Sequence, residues 1–372
     1  MKWTKEQRDL VSKYLEMGYT YGEIAKTLKL TYDQIQHVVK RYNLKDTINA
    51  DAIFQKDKKK LRKDDITKLA RILGEKIYEN YSKISLPILT PVKCEGKREE
   101  MSILDIGDVH IGAINEVFDS KEGKKIVTYN MKIFVKELTN LQQSIAQIHE
   151  ILSHSYNLKE LTIFFLGDIV TNDRIFAEQV FEIEKVVGNQ VFDAVSYFSM
   201  FINNLLALYE KINVIGVVGN HGRSNPTHYN EPVQNNFEYF VYKMIEKQFE
   251  DNNRVNVIVP ETRRYIHKIY GWRHLIEHGD LIRGSSDASI EKQIKELSLN
   301  MGGFDVFHMA HLHKLKETEI ADKIIVKRNG AWIEKDNYAF TKFKSYSVPK
   351  QLFFGCNKKR PETWHYGLDL RG

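Results

Sequence analysis

Residues 103–112, ILDIGDVHIG, decide how this chain is read. An apolar run over Ser102–Ile106 predicts a buried strand, and Asp108-Val109-His110 follow it at once. Four further stretches repeat the arrangement: FFLGDIV (164–170), VVGNHGR (217–223), IEHGD (276–280) and HMAHLHK (308–314). Behind their apolar runs stand Gly167-Asp168, Gly219-Asn220-His221, His278-Gly279-Asp280 and His311-Leu312-His313. The predicted strands are Ser102–Ile106, Leu161–Leu166, Val214–Val218, Val255–Val259, Arg273–Glu277 and Asp305–Met309. The five clusters lie 33 to 60 residues apart, so each belongs to its own strand–loop unit. Polar groups at the carboxyl ends of sheet strands converge on one crevice in α/β architectures. Any one cluster alone reads as a surface loop or a helix cap. Two carboxylates, four imidazoles and a carboxamide, each behind an apolar strand, read as a metal site.

Working outward, heptad-like apolar spacing predicts a helix over Met131–Leu152, and Val180–Tyr209 reads as mostly helical. After residue 314 short strand-like runs dominate, including Lys323–Val326 and Gln351–Phe354, with Arg328-Asn329-Gly330 as a hairpin turn. Upstream, residues 3–45 read as three short helices, Lys5–Leu15, Tyr21–Leu28 and Tyr32–Tyr42. Ile24, Ala25, Leu28, Leu30, Ile35 and Val38 have the spacing of a helix-turn-helix. The second helix of that unit would present Gln34, Gln36, Lys40 and Arg41, groups able to reach base edges and phosphates. Residues 46–100 form a basic connector, with one amphipathic helix over Gln55–Tyr81. The predicted organisation is a helix-turn-helix domain (1–45), a helical connector (46–100) and an α/β domain (101–372).

Composition narrows the functional classes. The net charge of +6 conceals a pattern. Residues 1–100 carry 22 Lys+Arg against 15 Asp+Glu, residues 101–322 carry 22 against 30, and residues 323–372 carry 11 against 4. Basic flanks suit a polyanion, and an acidic middle suits bound cations. Solvated surface lysines are the plainer reading of the same flanks. No run of apolar residues is long enough to span a bilayer, and MKWTKEQRDL lacks the apolar core of a signal peptide, so no membrane role is expected. Two cysteines, Cys94 and Cys356, make neither a disulfide framework nor a thiolate metal site, and a cytoplasmic location is expected.

The strand-end motifs, in this order, resemble the calcineurin-like metallophosphoesterase superfamily. Within it the chain looks most like DNA-repair exonucleases and phage-encoded members. The resemblance implies a four-layer αββα sandwich with two divalent metal ions, Mn²⁺ or else Fe²⁺ or Zn²⁺. It implies that Asp108, His110 and His313 hold one ion, that Asn220, His278 and His311 hold the other, and that Asp168 bridges them. It further implies that a metal-activated hydroxide attacks phosphorus and that His221 protonates the leaving group. Mixed oxygen and nitrogen ligation agrees with those metals. Two positions depart from the family pattern. Gly222 stands where an acid usually follows the histidine, with Asp173, His228 or Glu231 as substitutes, and Ala310 stands where the last motif usually begins with glycine. Arg174 and Arg223, just beyond two of the motifs, are candidate phosphate contacts.

The expected activity is that of a metal-dependent nuclease or phosphodiesterase acting on DNA. A phosphatase or small-molecule phosphodiesterase with an N-terminal adaptor is the alternative, as is a DNA-binding regulator with a degenerate phosphoesterase domain. A homodimer and a separate ATPase chain stay open as partners.

Overall fold

The computed structural model describes residues 3–16, 21–42, 44, 84–119, 123–176, 179–227, 231–284, 286–320, 323–334 and 348–372. The chain divides into two units, Met1–Glu79 and Asn80–Gly372. The predicted helix over Gln55–Tyr81 lies outside the described residues, as does His228.

The first unit contains α1 (Lys5–Glu16), α2 (Tyr21–Thr27) and α3 (Tyr32–Tyr42). They share one core of Val11, Tyr14, Leu15, Ile24, Ala25, Ile35, Val38 and Val39, with Leu28 and Leu30 packed against it. Ile24, Ala25, Leu28, Leu30, Ile35 and Val38 among them are the residues that the apolar spacing selects. Two reciprocal capping boxes start the helices. Thr4 and Gln7 bond each other's backbone N–H groups ahead of α1, and Thr31 and Gln34 do the same ahead of α3.

The second unit is built on two sheets. The six-stranded sheet has the order β13-β12-β1-β4-β5-β6. Its strands are β1 (Arg98–Ile106), β4 (Tyr156–Phe165), β5 (Lys211–Gly216), β6 (Val255–Ile258), β12 (Lys350–Asn357) and β13 (Arg360–Asp369). The pairs β1–β4, β4–β5 and β5–β6 are parallel, while β12 and β13 close one edge antiparallel. The five-stranded sheet has the order β10-β11-β9-β8-β7. It comprises β7 (Arg264–Ile269), β8 (Trp272–Glu277), β9 (Val306–Met309), β10 (Lys316–Ile320) and β11 (Ile324–Arg328). Here β8, β9 and β11 run parallel, with antiparallel strands at both edges. A separate hairpin joins β2 (Asn115–Asp119) to β3 (Lys124–Tyr129).

Side-chain alternation assigns the layers. Met101, Ile103, Phe164, Leu166, Ile215 and Val217 of the first sheet share a core with Ile269, Ile276 and Ala310 from the second, so the sheets pack face to face. Phe165, between two inward residues, turns outward and packs on Phe198 and Tyr242. Those two residues belong to α5 (Val187–Leu205) and α6 (Phe237–Gln248), which cover the outer face beside α4 (Met131–Ser153). On the other side, α7 (Asp287–Asn300) lays Ile290 and Ile294 on Leu275, Phe307 and Val326. The result is the predicted αββα sandwich. Central parallel strands are covered on both faces, which is why they read as near-continuous apolar runs.

Asp105, inward by the same alternation, meets a partner inside the sandwich. His308 Nδ1 lies 2.9 and 3.1 Å from its two oxygens, and His274 Nδ1 lies 3.0 Å from His308 Nε2. This chain of buried polar groups ties the two sheets together.

Two readings need correction. Arg328-Asn329-Gly330 makes no hairpin. The next described strand in sequence, β12, belongs to the other sheet, and Asn329 is buried with its amide donating to Gln351 Oε1 at 2.8 Å. The helix expected over Val180–Tyr209 is confined to Val187–Leu205. The preceding residues bond instead to the loop after β1, through Ile114 N to Glu182 O and Glu184 N to Gly112 O.

Candidate metal centre

Every strand that carries a predicted ligand is a parallel strand near the middle of its sheet, so all the carboxyl ends point the same way. Cross-strand hydrogen bonds continue past the strand ends. Asp108 N donates to Gly167 O, Val109 N to Asp168 O, and Ala310 N to His278 O. The chain must turn sharply here, and it does so through left-handed backbone at Asp108 (φ 49°), His110 (54°), Asp168 (52°), His311 (67°) and His313 (56°). Left-handed backbone is uncommon outside glycine, with Asp, Asn and His the side chains that adopt it most readily, and such residues gather at functional sites.

Three overlapping triads result. Asp108, His110 and His313 each bring one ligand atom within 4.8 Å of the others, and so do His110, Asp168 and His221, and Asp168, His278 and His311. His278 Nε2 lies 3.1 Å from Asp168 Oδ2 and 3.0 Å from Asn220 Oδ1, which draws Asn220 into the last group. His110 Nε2 and His313 Nε2 are 3.3 Å apart. All seven residues expected as ligands therefore meet at one place, with His110 joining the first two triads and Asp168 the last two. A further group, Glu317, Glu362 and His365, surrounds the ammonium of buried Lys327, which already supplies its cation.

The donor set fits divalent metal. Both carboxylate oxygens of Asp108 are buried without a hydrogen-bond partner among the described residues. An unsatisfied buried carboxylate costs several kcal/mol in order of magnitude, so it calls for a cation. Burial, partly offset by His313 and His278, pushes Asp108 up to about 6. Burial also opposes charge on Asp168 and His278, but their mutual contact prevails. It holds Asp168 well below the usual carboxylate range and lifts His278 to about 10. Burial and the neighbouring charge of His278 push His311 down to about 3, leaving a neutral imidazole. His278 Nδ1–H donates to Leu166 O at 2.7 Å, which aims Nε2 into the site, as an orienting outer contact should.

His221 sits at the rim, partly exposed. Its Nδ1–H donates to Thr171 O at 2.9 Å, and its Nε2 lies 3.9 Å from Asp168 Oδ2. Burial lowers its pKa below the ordinary histidine value. None of the described acids suggested for the place of Gly222 reaches it. Asp173 pairs with Arg174 and accepts from Val187 N at the start of α5, and Glu231 accepts from Ser224. Thr171 holds the ring instead, its carbonyl oxygen accepting from Nδ1–H. The other departure is accommodated by packing, since Ala310 joins the core between the sheets.

The candidate substrate arginines are engaged. Arg174 is partly exposed and bonds Asp173 at 2.6 Å, while buried Arg223 donates from Nε to Asn220 O. In α3, Gln36, Lys40 and Arg41 are exposed, whereas the side-chain oxygen of Gln34 accepts from Thr31 N in the capping box.

Sequence reading missed Asn172 and Glu238. Asn172, left-handed at φ 70°, donates to His221 O and Arg223 O and so joins the loops after β4 and β5. Glu238, in the first turn of α6, accepts from the backbone of both loops. Only the left-handed Asn172, a residue type tolerant of that conformation, left any trace beside a motif.

No family model matches the chain, and no curated protein matches it. Among solved structures the chain is similar to Vps29 from Entamoeba histolytica complexed with Zn²⁺, at 11% identity over 73% of this chain and 99% of that one, with a TM-score of 0.34. It is similar to a hypothetical protein from Pyrococcus horikoshii OT3 at 10% identity, covering 72% and 88%, with a TM-score of 0.36. A conserved uncharacterized protein from Streptococcus pneumoniae TIGR4, described as a predicted phosphoesterase, matches at 8% identity, covering 70% and 86%, with a TM-score of 0.30. The chain's own strand order and the residues that meet at its strand ends agree with the αββα sandwich and the strand-end site expected from the sequence.

Proposed function

We propose that this protein is a dinuclear-metal-dependent phosphoesterase that acts on DNA as a nuclease or phosphodiesterase. The observation that carries the reading is the convergence of Asp108, with its two unsatisfied buried oxygens, and six further ligand-type residues around Asp168. Asp108, His110 and His313 would hold one ion, Asn220, His278 and His311 the other, with Asp168 shared. Two divalent ions, Mn²⁺ in first place with Fe²⁺ or Zn²⁺ as alternatives, would supply Lewis acidity and lower the pKa of bound water.

The chain's own groups supply the rest. Leu166 O and Thr171 O fix the His278 and His221 rings, so the Nε2 of each faces the site. His221 Nε2 is then free to carry a proton to a departing alkoxide oxygen. Support for DNA comes from the basic charge of residues 1–100 and from the exposed Gln36, Lys40 and Arg41 of α3. The test is Mn²⁺-dependent hydrolysis of a chromogenic diester, a chromogenic monoester and labelled linear and circular DNA. Cleavage of the diester and of DNA is expected. Turnover of the monoester alone would move the protein to the phosphatases. Metal binding with no turnover of any of them would leave a binding protein.

A further inference from the structure

A fully buried carboxylate outside the ligand set spans the two loops on which the site depends. Glu238 belongs to α6, yet its side chain reaches away from that helix to the backbone of two loops. Oε1 accepts from Ile169 N at 2.6 Å and Val170 N at 3.4 Å, and Oε2 accepts from Gly219 N at 2.6 Å. These amides directly flank Asp168 and Asn220. Asn236, the N-cap of α6, adds a parallel tie, with Nδ2 donating to Gly219 O at 3.0 Å and Oδ1 accepting from Glu238 N. Phe237 N closes the contact on Gly222 O at 2.7 Å. The first turn of α6 is thus docked onto residues 219–222.

The residue at 222 has to suit that docking. A Cβ there would lie 2.1 Å from Asn236 Oδ1 and 2.7 Å from Glu238 Cγ. The space that a side chain at 222 would use is filled from α6.

From this geometry we propose that Glu238 is the positioning residue of the second metal subsite. By fixing the loops after β4 and β5 to each other, it sets the distance between Asp168 and Asn220. His221 N donates to Asp168 Oδ1 at 2.8 Å, so a shift of the second loop also turns the bridging carboxylate. The inference rests on the proposed metal-dependent function. Both oxygens of Glu238 accept hydrogen bonds, so Glu238→Gln keeps the packing but turns an amide donor toward a backbone N–H. Glu238→Ala removes the tie entirely.

Calorimetric titration of the full-length, metal-stripped protein with Mn²⁺ tests it. In Glu238→Ala, affinity for one of two ions is expected to fall by about 10–100-fold, the range for outer-contact residues, with the other within about threefold. Glu238→Gln should fall between Glu238→Ala and wild type. Val241→Ala is the control, because Val241 is fully buried on the same helix and touches neither loop's backbone by hydrogen bond. It should lower the melting temperature and leave both affinities intact. Unchanged affinities in Glu238→Ala, or an equal loss in Val241→Ala, would overturn the positioning role alone. A wild-type protein that binds no divalent ion would overturn the metal-dependent function with it. Gly222→Ala gives an independent reading, since its added methyl must displace Asn236 or Glu238, and it should weaken the same ion.

Discussion

Asp168 links the triad of His110 and His221 to that of His278 and His311, and in the proposed site it would be shared between the two ions. Asp168→Asn keeps the volume and removes the charge. Two cations held close together would then repel with less compensation. The variant should lose metal content and turnover while keeping its fold, as read by elemental analysis and circular dichroism. Full occupancy would refute the bridging assignment. His221→Ala should act differently, retaining metal and losing turnover. General acid catalysis is typically worth about 10²–10⁴-fold, and the loss should shrink for a nitrophenolate leaving group, which hardly needs a proton. An equal loss on both substrates would contradict a proton-donor role.

Protonation in the metal-free site fixes a third expectation at this scale. Below about pH 6 Asp108 holds a proton, and His278, at about 10, is protonated throughout the neutral range. An incoming ion must expel the His278 proton at any pH below about 10, and the Asp108 proton as well on the acid side of about 6. Metal affinity should therefore fall as pH drops, more steeply below about 6, by up to roughly tenfold per pH unit for each linked proton. Titrations in two buffers of different ionisation enthalpy count the protons released. An affinity flat between pH 5 and 8 would show that these groups do not ligate. The same His278 shift stabilises the metal-free fold below its unfolded value near 6.5, a contribution lost as pH rises toward about 10. The depressed Asp168 contributes above 3.8 and loses its effect only as acid reaches its lowered folded value.

At the scale of elements, the site is made by how closely strand-end loops approach. A Cβ on Gly219 would lie 2.1 Å from Asp168 Oδ1 and 2.5 Å from Asp168 N, so the loop after β5 passes against the bridging residue with no room for a methyl group. Gly219→Ala should therefore push Asp168 out of position and reduce metal affinity, although residue 219 presents no ligand itself. The N-terminal helices give a contrasting case. Ile35 is fully buried in a core that, among the described residues, is formed by three short helices. Ile35→Ala should cost about 2–5 kcal/mol, a large part of the stability available to so small a core. Loss of duplex binding with the Mn²⁺ titration unchanged is the expected result. Loss of both would mean that the three helices are needed to fold the sandwich.

For the whole molecule, charge distribution and chemistry fall on different stretches of sequence. The ligand-type residues all lie between Asp108 and His313, where acidic residues exceed basic ones, and α3 lies in the basic first hundred residues. If Lys40 and Arg41 meet phosphates, Lys40→Ala/Arg41→Ala should lower the salt dependence of duplex binding by about two units of slope. Hydrolysis of a small diester should not change. A salt slope equal to that of wild type would assign α3 to a protein partner instead. Among the described residues no helix is long and apolar enough to cross a membrane.

The sequence by itself marked the strands that lead into the site, because strands buried on both faces must be apolar throughout, and it marked the residues that meet behind them, because chemistry at strand ends leaves short polar clusters behind apolar runs. It also marked the three-helix core, whose apolar spacing is local. Tertiary structure alone decided the rest. Glu238 and Asn172 act on backbone amides and carbonyls distant in sequence, and a hydrogen bond to backbone leaves no residue-type pattern to read. For Arg174 and Arg223 the sequence shows a charge, and the structure adds the Asp173 carboxylate beside the one and the Asn220 carbonyl beside the other. Within Val180–Tyr209, read as mostly helical, the α-helix begins only at Val187, because Glu182 and Glu184 find their backbone partners in the loop after β1. Asp105 and His308, 203 residues apart, were read as ordinary strand positions, and only the packing of two sheets makes them a buried pair.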